Sequence, residues 1–265
     1  RMELLVRTVN EKLDELLPKE HIPPTLLHSA MRYSVFAGGK RIRPVLCIAS
    51  CEALGGSIHD ALVPACAIEA LHTYTLIHDD LPAMDNDDMR RGKPSCHKKY
   101  NEATAILAGD ALLTLAFEWL GTTGNSRLVI DLAEATGSIG TVGGQQDDML
   151  MKDKTPNQQE LLEMQRKKTA NLFSISCVIG ARSANASDSN IAHARLFGEA
   201  LGKAFQLLDD LCDNDPVTMR IIGREETMRL AEEYKADSYQ ELSALGDNTK
   251  KLRDIVDYTY ASFAL

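Results

Sequence analysis

Apolar residues recur every three to four positions over Ala61 to His78, Thr104 to Leu120 and Ile191 to Cys212, the spacing of one buried helix face. Alanine, leucine and glutamate, all strong helix formers, dominate these stretches. Alternating Val/Ile/Thr runs bounded by Asn-Gly turns, the pattern of strands, are missing. Breaks fall near Pro18 to Pro24, Gly38 to Pro44, Gly55 to Ser57, Leu81 to Pro94, Gly121 to Asn125, Gly137 to Gly144, Ser183 to Ser189 and Asn214 to Pro216. The pattern therefore predicts an all-α fold of at least about eight helices. No Ser/Pro/Gly-rich linker, low-complexity tract or fixed-period repeat interrupts it, so one helical domain over residues 1–265 is expected.

Composition narrows the function. With 44% hydrophobic and 25% charged residues the chain reads as an ordinary water-soluble globular protein. A formal charge of -9 argues against nucleic acid as a partner, because phosphate-backbone binding uses a basic face. The six cysteines (Cys47, Cys51, Cys66, Cys96, Cys177, Cys212) form no CxxC pair and read as reduced packing residues. No run reads as a membrane span, and the charged, amphipathic stretch from Arg1 does not read as a signal peptide. A cytoplasmic protein is the expectation, although a cleaved organelle transit peptide would leave no trace.

The run His78-Asp79-Asp80-Leu81-Pro82-Ala83-Met84-Asp85-Asn86-Asp87-Asp88 crowds carboxylates just after an apolar helix. That helix should end near Pro82, which sets Asp79 and Asp80 at its C-terminus, where the macrodipole disfavours negative charge. A bound cation would offset both penalties; a solvated acidic turn is the alternative. Phe205-Gln206-Leu207-Leu208-Asp209-Asp210-Leu211-Cys212-Asp213 repeats the arrangement far away in sequence, with Asp209 and Asp213 on one helical face. Two such clusters point to a shared metal site. Carboxylates without His or Cys ligands suit Mg²⁺, which completes its shell with substrate phosphate oxygens.

Cations accompany the carboxylates. Gly38-Gly39-Lys40-Arg41-Ile42-Arg43-Pro44 puts three behind a flexible glycine pair, and Arg90-Arg91 follow the first acidic run. Both are candidate anion sites, although the first is no P-loop. Arg166-Lys167-Lys168-Thr169 opens another apolar stretch; surface helix charge is its commoner explanation.

Taken in order, GGKRIRP, DDLPAMDNDDMRRGKP, the Lys168-Thr169 pair and FQLLDDLCD resemble the type II (E)-prenyl diphosphate synthases, from the helix before Gly38 to about Asp213. The resemblance implies the isoprenoid synthase fold, a single helical bundle around a central cavity, normally a homodimer. It implies that Asp79, Asp85 and Asp209 ligate Mg²⁺, three ions with substrate bound, while Asp80, Asp210 and Asp213 act less directly. Arg90, Lys168, Thr169 and Gln206 match positions holding an allylic diphosphate, with Lys168 counted among the catalytic groups. Lys40, Arg43, His72 and Arg91 match the isopentenyl diphosphate site.

The family usually continues past its second aspartate motif through a Gly-Lys segment, whereas here Asn214-Asp215-Pro216-Val217 leads into an apparent new helix. A segment omitted near 215–216 is the expectation. Tyr74 and Thr75 lie five and four residues before Asp79, about one turn down the same face. By resemblance an aromatic at that level suits the C15 product farnesyl diphosphate, with geranylgeranyl diphosphate, C20, the alternative. A non-catalytic subunit of a heteromeric synthase would be the non-enzyme reading, but such subunits typically lose the aspartate motifs. A di-iron bundle would need Glu-x-x-His pairs, and a terpene cyclase has no use for the basic turn.

Overall fold

A computed structural model of the chain describes residues 2–263. It is 76% helical. In chain order the helices are α1 (Met2–Leu16), α2 (Thr25–Val35), α3 (Ile42–Ala53), α4 (Ile58–Asp79), α5 (Cys96–Lys99), α6 (Glu102–Gly121), α7 (Ser126–Thr136) and α8 (Thr141–Met151). They continue with α9 (Gln158–Gln165), a π-helical turn (Arg166–Ala170), α10 (Asn171–Ser183), α11 (Asp188–Asp213), α12 (Pro216–Ile221), α13 (Arg224–Leu245) and α14 (Lys250–Ser262). The expected all-α class is what forms.

One small hairpin departs from the helical pattern. Met89–Arg90 (β1) pairs antiparallel with Lys93–Pro94 (β2), Met89 opposite Pro94 and Arg90 opposite Lys93. Its turn residues Arg91 and Gly92 have φ of 52° and 76°, the positive values that match the twist of a tight hairpin. An arginine in that conformation gives no strand signal in sequence.

By contact density the chain forms two compact units, residues 1–45 with 62–129 and residues 46–61 with 130–265. In the first, Leu5, Val9 and Leu13 of α1, Ala30, Met31 and Val35 of α2, and Ile68 and Leu71 of α4 are buried. This core also encloses an ion pair, Arg41 Nη1 to Glu69 Oε1 at 2.7 Å, with both side chains 3% exposed. Helix α6 is 20 residues long and holds an 18-residue stretch of mean hydropathy 1.4, by length and composition enough to cross a membrane, where no membrane span is expected from the sequence. Thr104, Ala105, Ala108, Gly109, Leu112 and Ala116 pack inward, while Ile106 and Leu107 are exposed.

In the second unit α11 is the central element, packed on α10, the π-turn and α13. Its glycines set the approach to α10 and the π-turn: a Cβ on Gly198 would lie 2.7 Å from Phe173 O, and one on Gly202 2.7 Å from Ala170 Cα. Leu207 and Leu208 join Leu230, Ala231 and Phe263 in an apolar cluster. Asn214, left-handed at φ 51°, caps α11, and Asp215 accepts from Thr218 N at the start of α12. The two helices thus meet at 215–216 through a short capped turn.

Candidate active site

The first aspartate cluster is built by the end of α4. A helix leaves its last carbonyls without intrahelical partners, and here the following loop folds back to meet them. Asp85 N donates to Asp79 O at 2.9 Å, Asp87 N to Asp80 O at 3.1 Å, and Met84 N to Leu81 O at 2.8 Å. The helix ends at Asp79, three residues before Pro82, so the carboxylates stand at the negative end of its dipole.

Within the pair the two aspartates differ. Asp80 is 1% exposed, and its carboxylate takes both Nε and Nη2 of Arg90 at 2.7 Å. Asp79 is only half buried. The expected diphosphate ligand Arg90 is therefore held from behind by Asp80, a bidentate pairing that fixes the plane of the guanidinium.

Three more arginines gather in this unit, but not all as expected. Arg41, grouped in sequence with an anion-binding turn, points inward instead. It is 5% exposed and gives its guanidinium to Glu69, Asn10 Oδ1 and Val35 O, so it anchors the turn rather than serving a ligand. Lys40 is exposed beside it. Arg91 donates to Gly38 O and lies so close to Gly39, φ 117°, that a Cβ there would fall 2.6 Å from Nη1. Gly39 leaves the room for that approach, whereas a Cβ on Gly38 would meet nothing and glycine suits that position by its φ of 103°.

Arg43 Nη1 sits 3.2 Å from His72 Nε2. Since a guanidinium only donates, His72 Nε2 is the acceptor and the imidazole proton resides on Nδ1. Burial, then the charge of Arg43 and of Arg91, Arg90 and Arg41, holds the His72 pKa well below 6.5, so His72 is neutral at pH 7. Burial likewise lowers Arg43 to about 10, which leaves it charged. Thr75 turns its hydroxyl to His72 O at 2.5 Å.

The second cluster shows the same division. Asp210 is 7% exposed and accepts from Gln165 Nε2 at 2.8 Å, Gln206 Nε2 at 2.8 Å and Thr218 Oγ1 at 2.6 Å. Burial raises its pKa despite those three donors. Asp209, one residue earlier, is half buried, and Asp213 is exposed. The π-turn places Lys168 and Thr169 in the same unit: Thr169 Oγ1 donates to Gln206 Oε1 at 2.9 Å and Lys168 Nζ reaches Asp148 Oδ2 at 2.8 Å. An extra residue per turn re-aims side chains, and such turns gather at functional sites. Asp148, Gln165, Lys168, Thr169, Gln206, Asp210 and Thr218 are among the residues lining a cavity of about 240 Å³.

Sequence reasoning missed Asp147, Asp148, Gln165 and Thr218. The signal was a third acidic pair spaced 20 residues before Lys167-Lys168, since Lys167 reaches Asp147 at 3.1 Å as Lys168 reaches Asp148. All six cysteines are unbridged, as expected of packing residues; only Cys212 is exposed. Burial pushes the Cys66 and Cys177 thiols up to about 12.

The polyprenyl synthetase family model matches residues 24–221, and the chain belongs to that family. The heterodimeric geranylgeranyl pyrophosphate synthase large subunit 1, chloroplastic, of Arabidopsis thaliana is 46% identical over 217 residues, 77% of this chain. That match spans 58% of the plant protein's length. The farnesyl diphosphate synthase of Micrococcus luteus is 39% identical over 268 residues, 92% of each chain. The apo crystal structure of an FPP/GFPP synthase from Zymomonas mobilis superposes with a TM-score of 0.91 at 35% identity, covering 97% of this chain and 96% of that one.

Proposed function

We propose that this chain is a trans-prenyltransferase, one catalytic domain over 1–265, that condenses isopentenyl diphosphate with dimethylallyl and geranyl diphosphate to give farnesyl diphosphate. The observation that carries the reading is the shared division of labour in the aspartate pairs. In each, the second carboxylate (Asp80, Asp210) is buried and bonded within the protein, while the first (Asp79, Asp209) stays half accessible.

Asp79, Asp85 and Asp209 are the Mg²⁺ ligands of this reading. Their donors are hard oxygens, as Mg²⁺ requires. Held by these carboxylates, Mg²⁺ would supply positive charge that offsets the allylic diphosphate and favours its departure as the C–O bond ionises.

Arg90, Lys168, Thr169 and Gln206 hold that diphosphate, and the π-turn supplies two of them from adjacent positions. Lys40, Arg43, His72 and Arg91 hold isopentenyl diphosphate, with neutral His72 oriented by Arg43. The isopentenyl double bond attacks the allylic carbon, and the proton lost leaves with the pyrophosphate. No protein nucleophile is needed, but water must be excluded from the cationic carbon. Tyr74 limits the length of the prenyl chain. The outward Ile106 and Leu107 of α6 support a homodimer that covers them.

Geranylgeranyl diphosphate is the second reading, favoured by the plant relatives named for that product at 46% identity. Regulatory-subunit character is disfavoured because both aspartate pairs are present. The test is chromatographic sizing of products from labelled isopentenyl diphosphate and each starter, for the wild type and Tyr74→Ala. A C15 endpoint that lengthens in Tyr74→Ala supports the reading; a C20 endpoint unchanged by the substitution replaces farnesyl with geranylgeranyl diphosphate and removes Tyr74 from its role.

A further inference from the structure

Tyr74 does not stand alone on α4. Its ring meets the ring of His78, one turn later, edge to face, with centroids 5.3 Å apart and planes at 87°. His78 in turn reaches α6, where Nε2 lies 2.9 Å from the carbonyl oxygen of Ile106. A carbonyl only accepts, so Nε2 is the donor and the ring is fixed in orientation. Asp110 Oδ1 is 3.8 Å from the same nitrogen.

The space His78 occupies exists because residue 109 has no side chain. A Cβ built on Gly109 would fall 2.2 Å from His78 Nε2 and 2.4 Å from Cδ2, distances no pair of non-bonded heavy atoms tolerates. Gly109 lies inside α6, where glycine is less favourable than alanine because more backbone freedom is lost on folding. The imidazole is what fills the room that this glycine leaves.

We infer that Gly109 and His78 form a brace that fixes Tyr74 in position, and that these two residues together set product chain length. This rests on the reading of Tyr74 as the limit to chain growth. Neither residue touches the reacting atoms; both are positioning residues, acting through Tyr74. Adding one methyl at 109 evicts the imidazole from Ile106 O, and the tyrosine ring loses the neighbour that fixes its edge.

Product chain length in Gly109→Ala, His78→Ala, Tyr74→Ala and the His78→Ala/Gly109→Ala double variant tests this, since a merely structural defect lowers turnover without changing the product ratio. His78→Ala removes atoms and adds none, so it reports even where Gly109→Ala fails to fold, and thermal melting distinguishes the two. Each single variant should raise the ratio of longer to shorter product at least about threefold, and the double variant should go no further than His78→Ala alone, as expected of residues acting through one contact. If Tyr74→Ala lengthens the product while His78→Ala keeps the wild-type ratio, the brace is refuted and the Tyr74 reading survives. If Tyr74→Ala changes nothing, that reading fails and the brace falls with it.

Discussion

Asp80 and Arg90 close the first aspartate cluster by a two-point contact, Oδ1 to Nη2 and Oδ2 to Nε, each at 2.7 Å. The carboxylate is inside the protein and the guanidinium keeps 30% of its side chain exposed. One member of the acidic run is thus spent on aiming a cation, and its neighbours Asp79 and Asp85 are held beside it by backbone hydrogen bonds.

Asp80→Ala should therefore act on both stability and catalysis. Removing one partner of a buried pair typically costs 3–5 kcal/mol; with Arg90 partly solvated, a loss of about 2 kcal/mol is expected here. Denaturant melts measure it. Turnover with geranyl diphosphate should fall well beyond what the folded fraction accounts for, because Arg90 loses its orientation. A variant that melts early but turns over normally per folded molecule would assign Asp80 to folding alone.

Asp148 holds Lys168 at 2.8 Å. Asp148→Asn should raise KM for the allylic diphosphate about fivefold, near 1 kcal/mol for a partly exposed charge-assisted contact. KM for isopentenyl diphosphate should stay within about twofold. Steady-state kinetics with each substrate varied in turn checks the asymmetry, and equal rises in both would contradict it.

What could be read from the sequence was what repeats or punctuates. The 3.6-residue apolar period located α4, α6 and α11 to within about three residues, and the pairing of aspartates with Pro82 put Asp79 at a helix end, where it is. Arg41 shows the limit. Its neighbours Lys40 and Arg43 carry the same charge, and what turns it inward is the buried Glu69, 28 residues away, together with Asn10 and the carbonyl of Val35. Long-range partners of this kind leave no local spacing to find. The same holds for Gln165 and Thr218, which meet only at Asp210, and for the π-turn at Lys168, which breaks no propensity rule.

His72 gives a pH signature. Its pKa in the folded state lies well below 6.5, so it stays neutral there while the unfolded chain takes up a proton below about 6.5. The stability this supplies is fully present above pH 6.5 and is lost as pH falls from there toward the folded-state pKa. The slope is up to about 1.4 kcal/mol per pH unit. In melts from pH 7.5 to 5, wild type should lose stability relative to His72→Asn; parallel curves would place the imidazole in water.

A divalent cation should let this chain join two diphosphates. Purified protein with geranyl diphosphate and labelled isopentenyl diphosphate should form a C15 or longer prenyl diphosphate in Mg²⁺, stop on EDTA, resume when Mg²⁺ is restored, and fall by at least about a hundredfold in Asp79→Ala. Absence of condensation with any allylic starter in saturating Mg²⁺, from protein that melts cooperatively, would contradict the account.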